Sequence, residues 1–346
     1  MIYYRSALQR GAFSFTGIII VSLPVQTKNY VLGGVIITLI GAILFSTKAV
    51  IAKVIYHQYD ISVVSLLTLR MLFSLPFYMG MFVQSYPGYR QLKKSSKQTK
   101  GTHTNIFLQC FAIGILGYYV SSLLDFTGLK FISAGLERII LFTYPTFTVV
   151  FAALIFKTKI TRYQLMALLV SYAGVALAFA GDIRAGHSAD ITTGSILVFA
   201  CAITYSLYVL MSGRMIPKMG VSFFTSISMM SATAGVFVHF LFSGDKLISL
   251  THLPFEIYMF ILVMALFATV VPSLLLSMGL NRIGSSNVAI VSSIGPMATI
   301  LQAYWILGES FGWLQTVGTL LVVAGVLIIG RKVRQEKPAI AASVAE

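Results

Sequence analysis

Long apolar runs alternate with short polar connections along nearly the whole chain. A helix needs about 20 mostly apolar residues to cross the hydrocarbon, because every backbone N–H and C=O must be satisfied within the segment. Ten runs reach that length: Tyr30 to Tyr56, Ile61 to Gln84, Asn105 to Leu129, Ser133 to Phe156 and Arg162 to Gly181, then Thr192 to Ser212, Val221 to Phe242, Pro254 to Leu280, Ser285 to Leu307 and Gly312 to Gly330. The pattern predicts an all-α integral membrane protein of ten transmembrane helices. Residues 1–29 form a cytoplasmic or interfacial N-terminal segment in this reading, and residues 331–346 a C-terminal tail. Gly11 to Pro24 is apolar behind Arg5 and Arg10, which resembles the start of a signal peptide but is too short to span comfortably. It reads as an interfacial stretch or an over-long start, with a cleaved signal as the alternative.

The placement of charge sets the direction of these helices. Lys and Arg outnumber Asp and Glu by 25 to 10, for a net charge of +15. In a soluble protein that excess would suggest nucleic acid; here the basic residues lie between apolar runs, where lipid headgroups are their partners and no nucleic acid is implied. Cytoplasmic loops retain Lys and Arg during insertion. One side of the predicted bundle takes Arg5, Arg10 and Lys28, then Arg90 to Lys100, Lys157 to Arg162, Arg214, Lys218, Arg282 and Arg331 to Lys337; the other takes only Lys130, Arg184 and Lys246. This segregation predicts a multi-pass protein of the inner (plasma) membrane with both termini cytoplasmic. Composition agrees: 57% of the residues are hydrophobic and 10% charged, against roughly 25% charged in a soluble domain. Cys110 and Cys201 each lie inside an apolar run, so no disulfide framework is expected.

The two halves match. A shift of 151 residues pairs Ser122-Leu123-Leu124 with Ser273-Leu274-Leu275, Gly128-Leu129 with Gly279-Leu280, Pro145 with Pro296, and Ala173-Gly174-Val175 with Ala324-Gly325-Val326, without a gap. The chain therefore reads as two copies of a five-helix unit, residues 30–181 and 192–330. Five is odd, so the second copy enters the membrane in the opposite direction, and an inverted repeat of this kind recurs in secondary transporters.

The stretch from Gly128 to Phe179, with its Pro145 and closing Ala-Gly-Val, resembles the EamA-like family of the drug/metabolite transporter (DMT) superfamily, and so does its repeat partner. Lys48 late in the first helix and Arg70 in the second carry the resemblance too. It implies a ten-helix fold with both ends inside, moving a small metabolite through a central cavity. The second copy keeps the family's Gly308-Glu309 ending where the first has Lys157-Thr158, and Phe45 replaces the tryptophan usual in the first helix.

A charge near the bilayer centre costs a few kcal/mol on insertion scales, so such residues face a cavity or a partner. Lys48, Arg70, Asp125, Glu137 and Arg138 all come from the first copy and fall in the outer half of the bilayer. Their counterparts are neutral: Tyr208 for Lys48, Leu276 for Asp125, Val288 and Ala289 for Glu137 and Arg138. Two readings stand for Arg70, Asp125, Glu137 and Arg138: ion pairs holding helices two, three and four together, or coupling charges beside a substrate path. Glu137 also sits where the positive end of a helix dipole favours a carboxylate. Lys48 is a candidate substrate ligand, its ammonium attracting a carboxylate or phosphate, with Asp125 as its partner in the empty state. Pro145 and Pro296, near the midpoints of the fourth and ninth helices, predict paired kinks, interruptions that either point to a midplane site or serve packing alone. Tyr118, Tyr119, Tyr144, Tyr205 and Tyr208 can supply an aromatic wall, and Tyr118, Tyr144 and Tyr208 join Lys48 and the two prolines as candidate substrate-binding residues.

No GxxxxGK[ST] loop is present, and His57, His103, His187, His239 and His252 are scattered without metal-ligand spacing, so neither ATP hydrolysis nor a metal or other cofactor is expected. The leading expectation is a secondary transporter, by alternating access, of an amino acid, amine or organic anion, with protons a candidate coupling ion and a homodimer a candidate assembly. The alternatives are a non-transporting receptor or scaffold, and an intramembrane lipid-modifying enzyme with Glu137 or Asp125 as acid or base.

Overall fold

In the computed structural model, residues 28–95, 101–156, 162–185, 190–244, 250–292, 294–309 and 312–333 are described. Residues 1–27 and 334–346 fall outside them, as do Lys97, Lys100, Lys157, Lys159 and Lys246, so most of the N-terminal segment, the tail and several loop charges belong to the sequence reading alone.

The described residues are helical, without a strand. Thirteen α-helices succeed one another: α1 (Lys28–Gln58), α2 (Val63–Ser95), α3 (Gly101–Gly114), α4 (Ser121–Gly128), α5 (Ala134–Leu141), α6 (Tyr144–Phe156), α7 (Arg162–Ala185), α8 (Ile191–Met219), α9 (Val221–Phe242), α10 (Phe255–Ala265), α11 (Val271–Val291), α12 (Ile294–Leu307) and α13 (Trp313–Val333). Seven stretches of helix are long and apolar enough to cross a membrane: Tyr30–Gln58, Val63–Leu92, Ile106–Gly128, Ala134–Ile155, Ile191–Met219, Val221–Phe242 and Phe255–Gly284. Leu169–Gly181, Ile294–Leu307 and Trp313–Gly325 are shorter apolar helices. Large apolar side chains such as Leu108, Leu154, Leu169, Ile196, Phe242 and Trp305 point outward. In water such a surface would drive aggregation; against lipid tails it is the expected exterior of a multi-pass protein.

Two features depart from simple straight spans. Short π-helical segments, Ile115–Val120 and Leu266–Val270, join α3 to α4 and α10 to α11. They begin 151 residues apart (266 − 115), the offset of the sequence repeat. The second departure concerns the prolines. A mid-helix proline is expected to kink a continuous helix; instead the helix stops before it. Phe142 and Thr143 separate α5 from α6, and the α11–α12 boundary falls at the matching place, after Ser292. Pro145 and Pro296 then sit in the first turn of the new helix, where a residue without an N–H forfeits nothing. Gly284, at φ 75°, turns the chain inside α11 between the predicted eighth and ninth spans, a conformation that favours glycine.

Helices of one half pack mainly on helices of the other. α1 lies on α11 and α12, and α8 lies correspondingly on α4 and α6; α2 packs on α9 and α7 on α13. One buried cluster centres on Leu66, Phe126, Leu129 and Ile261, a second on Tyr78, Phe224 and Met229, and a third on Leu136, Ile139 and Val198.

Candidate functional site

Five ionisable side chains meet where α1, α2, α4 and α5 converge, and each is at least nine-tenths buried. Lys48 Nζ, from α1, forms an ion pair with Asp125 Oδ2, from α4. The ammonium also lies 4.8 Å from the centre of the Phe45 ring and 5.5 Å from that of Phe126, close enough for cation–π attraction. Arg70, from α2, donates from Nη2 to Ser122 Oγ at 3.1 Å, and its guanidinium carbon is 4.7 Å from the Phe126 ring centre. Its Nε has no hydrogen-bond partner among the described residues.

Arg138 and Glu137 are neighbours on α5. Arg138 Nε lies 3.6 Å from Glu137 Oε2, and its Nη2 makes long contacts of 3.5 Å to the Phe45 and Ser46 carbonyl oxygens of α1. The expected cross-helix pairing of the two arginines with the two carboxylates is not what forms among the described residues. Asp125 takes Lys48, Glu137 takes the arginine beside it, and α5 is tied to α1 through backbone oxygens. The α5 start is held by Ser133, whose Oγ accepts from Leu136 N–H at 3.0 Å, and by Glu309, whose Oε1 accepts from Ala134 N–H at 3.1 Å. Those acceptors satisfy donors that a helix start otherwise leaves unpaired. The Gly-Glu ending of the second half thus anchors a helix of the first.

The charges border a cavity with an empty volume of about 460 Å³, lined by Phe45, Lys48, Arg70, Tyr118, Ser121, Ser122, Asp125, Leu141, Cys201, Tyr205 and Thr269 among others. The space between these side chains is narrow, with room for about two waters. Both π-helical segments reach it, one through Gly117 and Tyr118, the other through Ala268 and Thr269. A π turn inserts one residue into the helix and re-aims the side chains around it, which is why such turns gather at functional sites.

Beside the charges lies a group of aromatic rings. Tyr208 Oη donates to Tyr118 Oη at 3.2 Å, their ring centres being 4.8 Å apart, and Tyr205 packs on Tyr144 at 5.1 Å and on Tyr208 at 5.8 Å. Two further cavities share these rings: one includes Tyr118, Tyr144, Tyr205, Tyr208 and Ser292, the other Phe45, Arg138, Phe142, Tyr144, Tyr205 and Gly295.

The structure thus brings together Lys48, Tyr118, Tyr144, Tyr208, Arg70, Asp125 and Arg138, with Glu137 behind them. Pro145 and Pro296 are buried but do not line these three cavities; the breaks beside them do, through Phe142, Tyr144, Ser292 and Gly295. Tyr119 faces away, toward His239. Among the residues the sequence reading left out of its substrate-binding set are Phe45, Ser122, Cys201, Thr269 and Tyr205, the last of which it placed in the aromatic wall. Helical spacing held a sign of four of them. Cys201, Tyr205 and Tyr208 fall at i, i+4 and i+7 of α8, Ser122 precedes Asp125 by three, and Phe45 precedes Lys48 by three, so each shares a face with a residue already singled out.

A model of the EamA-like transporter family matches residues 32–180 and again 192–331. The uncharacterized transporter YcbK of Bacillus subtilis is 29% identical, with 82% of this chain and 88% of its own covered. The uncharacterized transporter YyaM of the same organism is 26% identical over 65% of this chain and 73% of its own. A solved protein structure superposes with a TM-score of 0.60 over 88% of this chain and 99% of that one, at 15% identity, and so shares the fold.

Proposed function

The chain belongs to the EamA-like transporter family of the DMT superfamily, and on that premise we propose that it is a secondary transporter carrying a small metabolite, an amino acid, amine or organic anion, across the inner membrane by alternating access. The observation that carries this reading is the charge- and tyrosine-lined cavity where helices of the two halves meet. A receptor or scaffold has no need to bury five ionisable groups around such a space, and an enzyme would not need matched halves.

Ten spans in two inverted five-helix repeats are part of this proposal. The seven long and three shorter apolar helices add up to ten. The π-helical segments, the interruptions before Pro145 and Pro296, and the packing of α1 on α11 and α12 against that of α8 on α4 and α6 are what a pseudo-two-fold between halves requires. Paired rigid halves with interruptions beside the site provide the hinge for rocking.

Uptake into proteoliposomes tests the function. Vesicles loaded with one member of a panel of amino acids, amines and organic anions should exchange it for the labelled solute outside faster than protein-free vesicles. A panel in which nothing moves above that background would sink the transporter reading. Topology is tested separately: reporters fused after Lys97, Arg214 and Arg334 should read cytoplasmic, and those after Asp60, Arg184 and Asp245 external. A cytoplasmic signal from the Arg184 fusion contradicts ten spans, because it would place one odd span too many or too few before it.

A further inference from the structure

The sequence pointed to Lys48 as the charge that attracts a substrate, but in the structure Asp125 already holds its ammonium. The cation left over is Arg70. We propose that the cavity takes a small organic monoanion, a carboxylate on an apolar body, and that the guanidinium of Arg70 is its recognition group. The proposal rests on the transporter reading and narrows its substrate to one class.

Three cations, Lys48, Arg70 and Arg138, stand in and beside the cavity against two carboxyl groups, Asp125 and Glu137. Two carboxyls carry at most two negative charges, so the cluster holds at least one positive charge in excess, and a buried unpaired charge is costly. A monoanion in the cavity removes that excess; a cation would double it. Arg70 has the geometry to accept it. It lines the cavity, is 2% exposed, makes one hydrogen bond to a protein side chain and leaves Nε without one. Its planar fork matches the two oxygens of a carboxylate, while Phe126 supports it from one face. Phe45, Leu141, Tyr205 and Ala268 give the wall apolar and aromatic surface that suits the body of such a solute, and Ser121, Ser122 and Thr269 add hydroxyls beside it.

The experiment compares probes that differ in charge and little else. Purified full-length protein is heated in detergent with a monocarboxylate series from acetate to benzoate, with the matching amides, and with the matching amines. A ligand that binds only the folded protein raises its melting temperature by mass action. At least one carboxylate should do so where its amide and amine do not, and the same carboxylate should exchange in the vesicle assay. Arg70→Gln should bind it about tenfold more weakly or worse, while Arg70→Lys keeps part of the affinity. If the Arg70 variants do not fold, the charge series on the wild type still decides. Stabilisation by amines or amides but by no carboxylate overturns the anion assignment, and exchange of those solutes would leave the transporter reading standing. Carboxylate binding that Arg70→Gln retains in full overturns the role of Arg70. No exchange of any solute, charged or neutral, is the separate failure of the transporter reading.

Discussion

Lys48→Ala should lower solute exchange by about 100-fold or more, a loss that Asp125→Asn in the same chain should partly reverse. Removing one partner of a buried ion pair costs about 3–5 kcal/mol, chiefly because the other charge is left behind. Asp125 is 1% exposed, and its Oδ2 is the atom that Lys48 holds. Freed of Lys48, the carboxylate shares a cavity with Arg70. It would turn to that guanidinium and occupy the place of a substrate anion, so the variant should be folded but self-blocked. Neutralising Asp125 as well removes one charge of each sign, and the excess positive charge that favours an anion is retained. Asp125→Asn alone strands the Lys48 ammonium and should bind anions more tightly but release them slowly. Initial exchange rates and half-saturation for the wild type, both singles and the double form the cycle that checks this. Wild-type kinetics in Lys48→Ala would show that the pair is dispensable to both structure and transport. Equal loss in the single and the double would assign Lys48 a direct part in substrate binding.

How far the site could be read from the sequence depended on what each residue's environment needs. Charge inside a span is conspicuous against an apolar background, so Lys48, Arg70, Asp125, Glu137 and Arg138 stood out one by one. Their partners did not. Arg138 beside Glu137 on one helix turned out to be an ion pair in itself, while its reach to the Phe45 and Ser46 carbonyls depends on how close α5 comes to α1. Thr269 carries no charge, and an uncharged side chain in a membrane helix looks the same facing a cavity, a neighbour or lipid.

The backbone was legible in a similarly uneven way. Apolar run length and loop charge mark where helices begin and end, and ten apolar segments were expected where seven long and three shorter ones stand. Run length cannot reveal a π turn, because one extra residue leaves the run apolar and merely rotates the remainder of the helix. The two π segments at Ile115 and Leu266 were therefore invisible, although the ungapped 151-residue register implied that any such irregularity in one half would recur in the other. The prolines marked where the interruptions fall but not their form: a proline is as much at home in the first turn of a helix as in a kink, and only the neighbouring backbone decides between them.

Gly174→Leu should be strongly damaging although it lies away from the cavity, because it separates the two helices that close each half. α7 and α13 pack over much of their length, and at their crossing the backbones touch through glycine on both sides. A Cβ on Gly174 would lie 2.5 Å from the Gly318 carbonyl oxygen and 2.9 Å from the Val322 nitrogen, and a Cβ on Gly318 would lie 2.5 Å from the Gly174 oxygen. No rotamer change relieves contact with backbone atoms, so the helices themselves must move apart. Small residues matter here for a reason specific to the membrane: lipid tails are as apolar as leucine, and helix association depends on close packing instead of escape from water. Overpacking typically costs about 1–3 kcal/mol, and backbone contact on both helices puts this site at or beyond the upper end. Gly80→Leu is the control, since nothing lies within 4 Å of the position its Cβ would take and the residue is exposed on α2. Melting temperature and the monodisperse yield from membranes are the readouts. Gly174→Leu should fall well below the wild type in both while Gly80→Leu stays close to it, and the protein that does fold should keep its affinity for substrate because neither helix lines the charged cavity. If the two variants melt alike, the glycine contact does not hold these helices together, and the Ala-Gly-Val match between the halves has no packing role at Gly174.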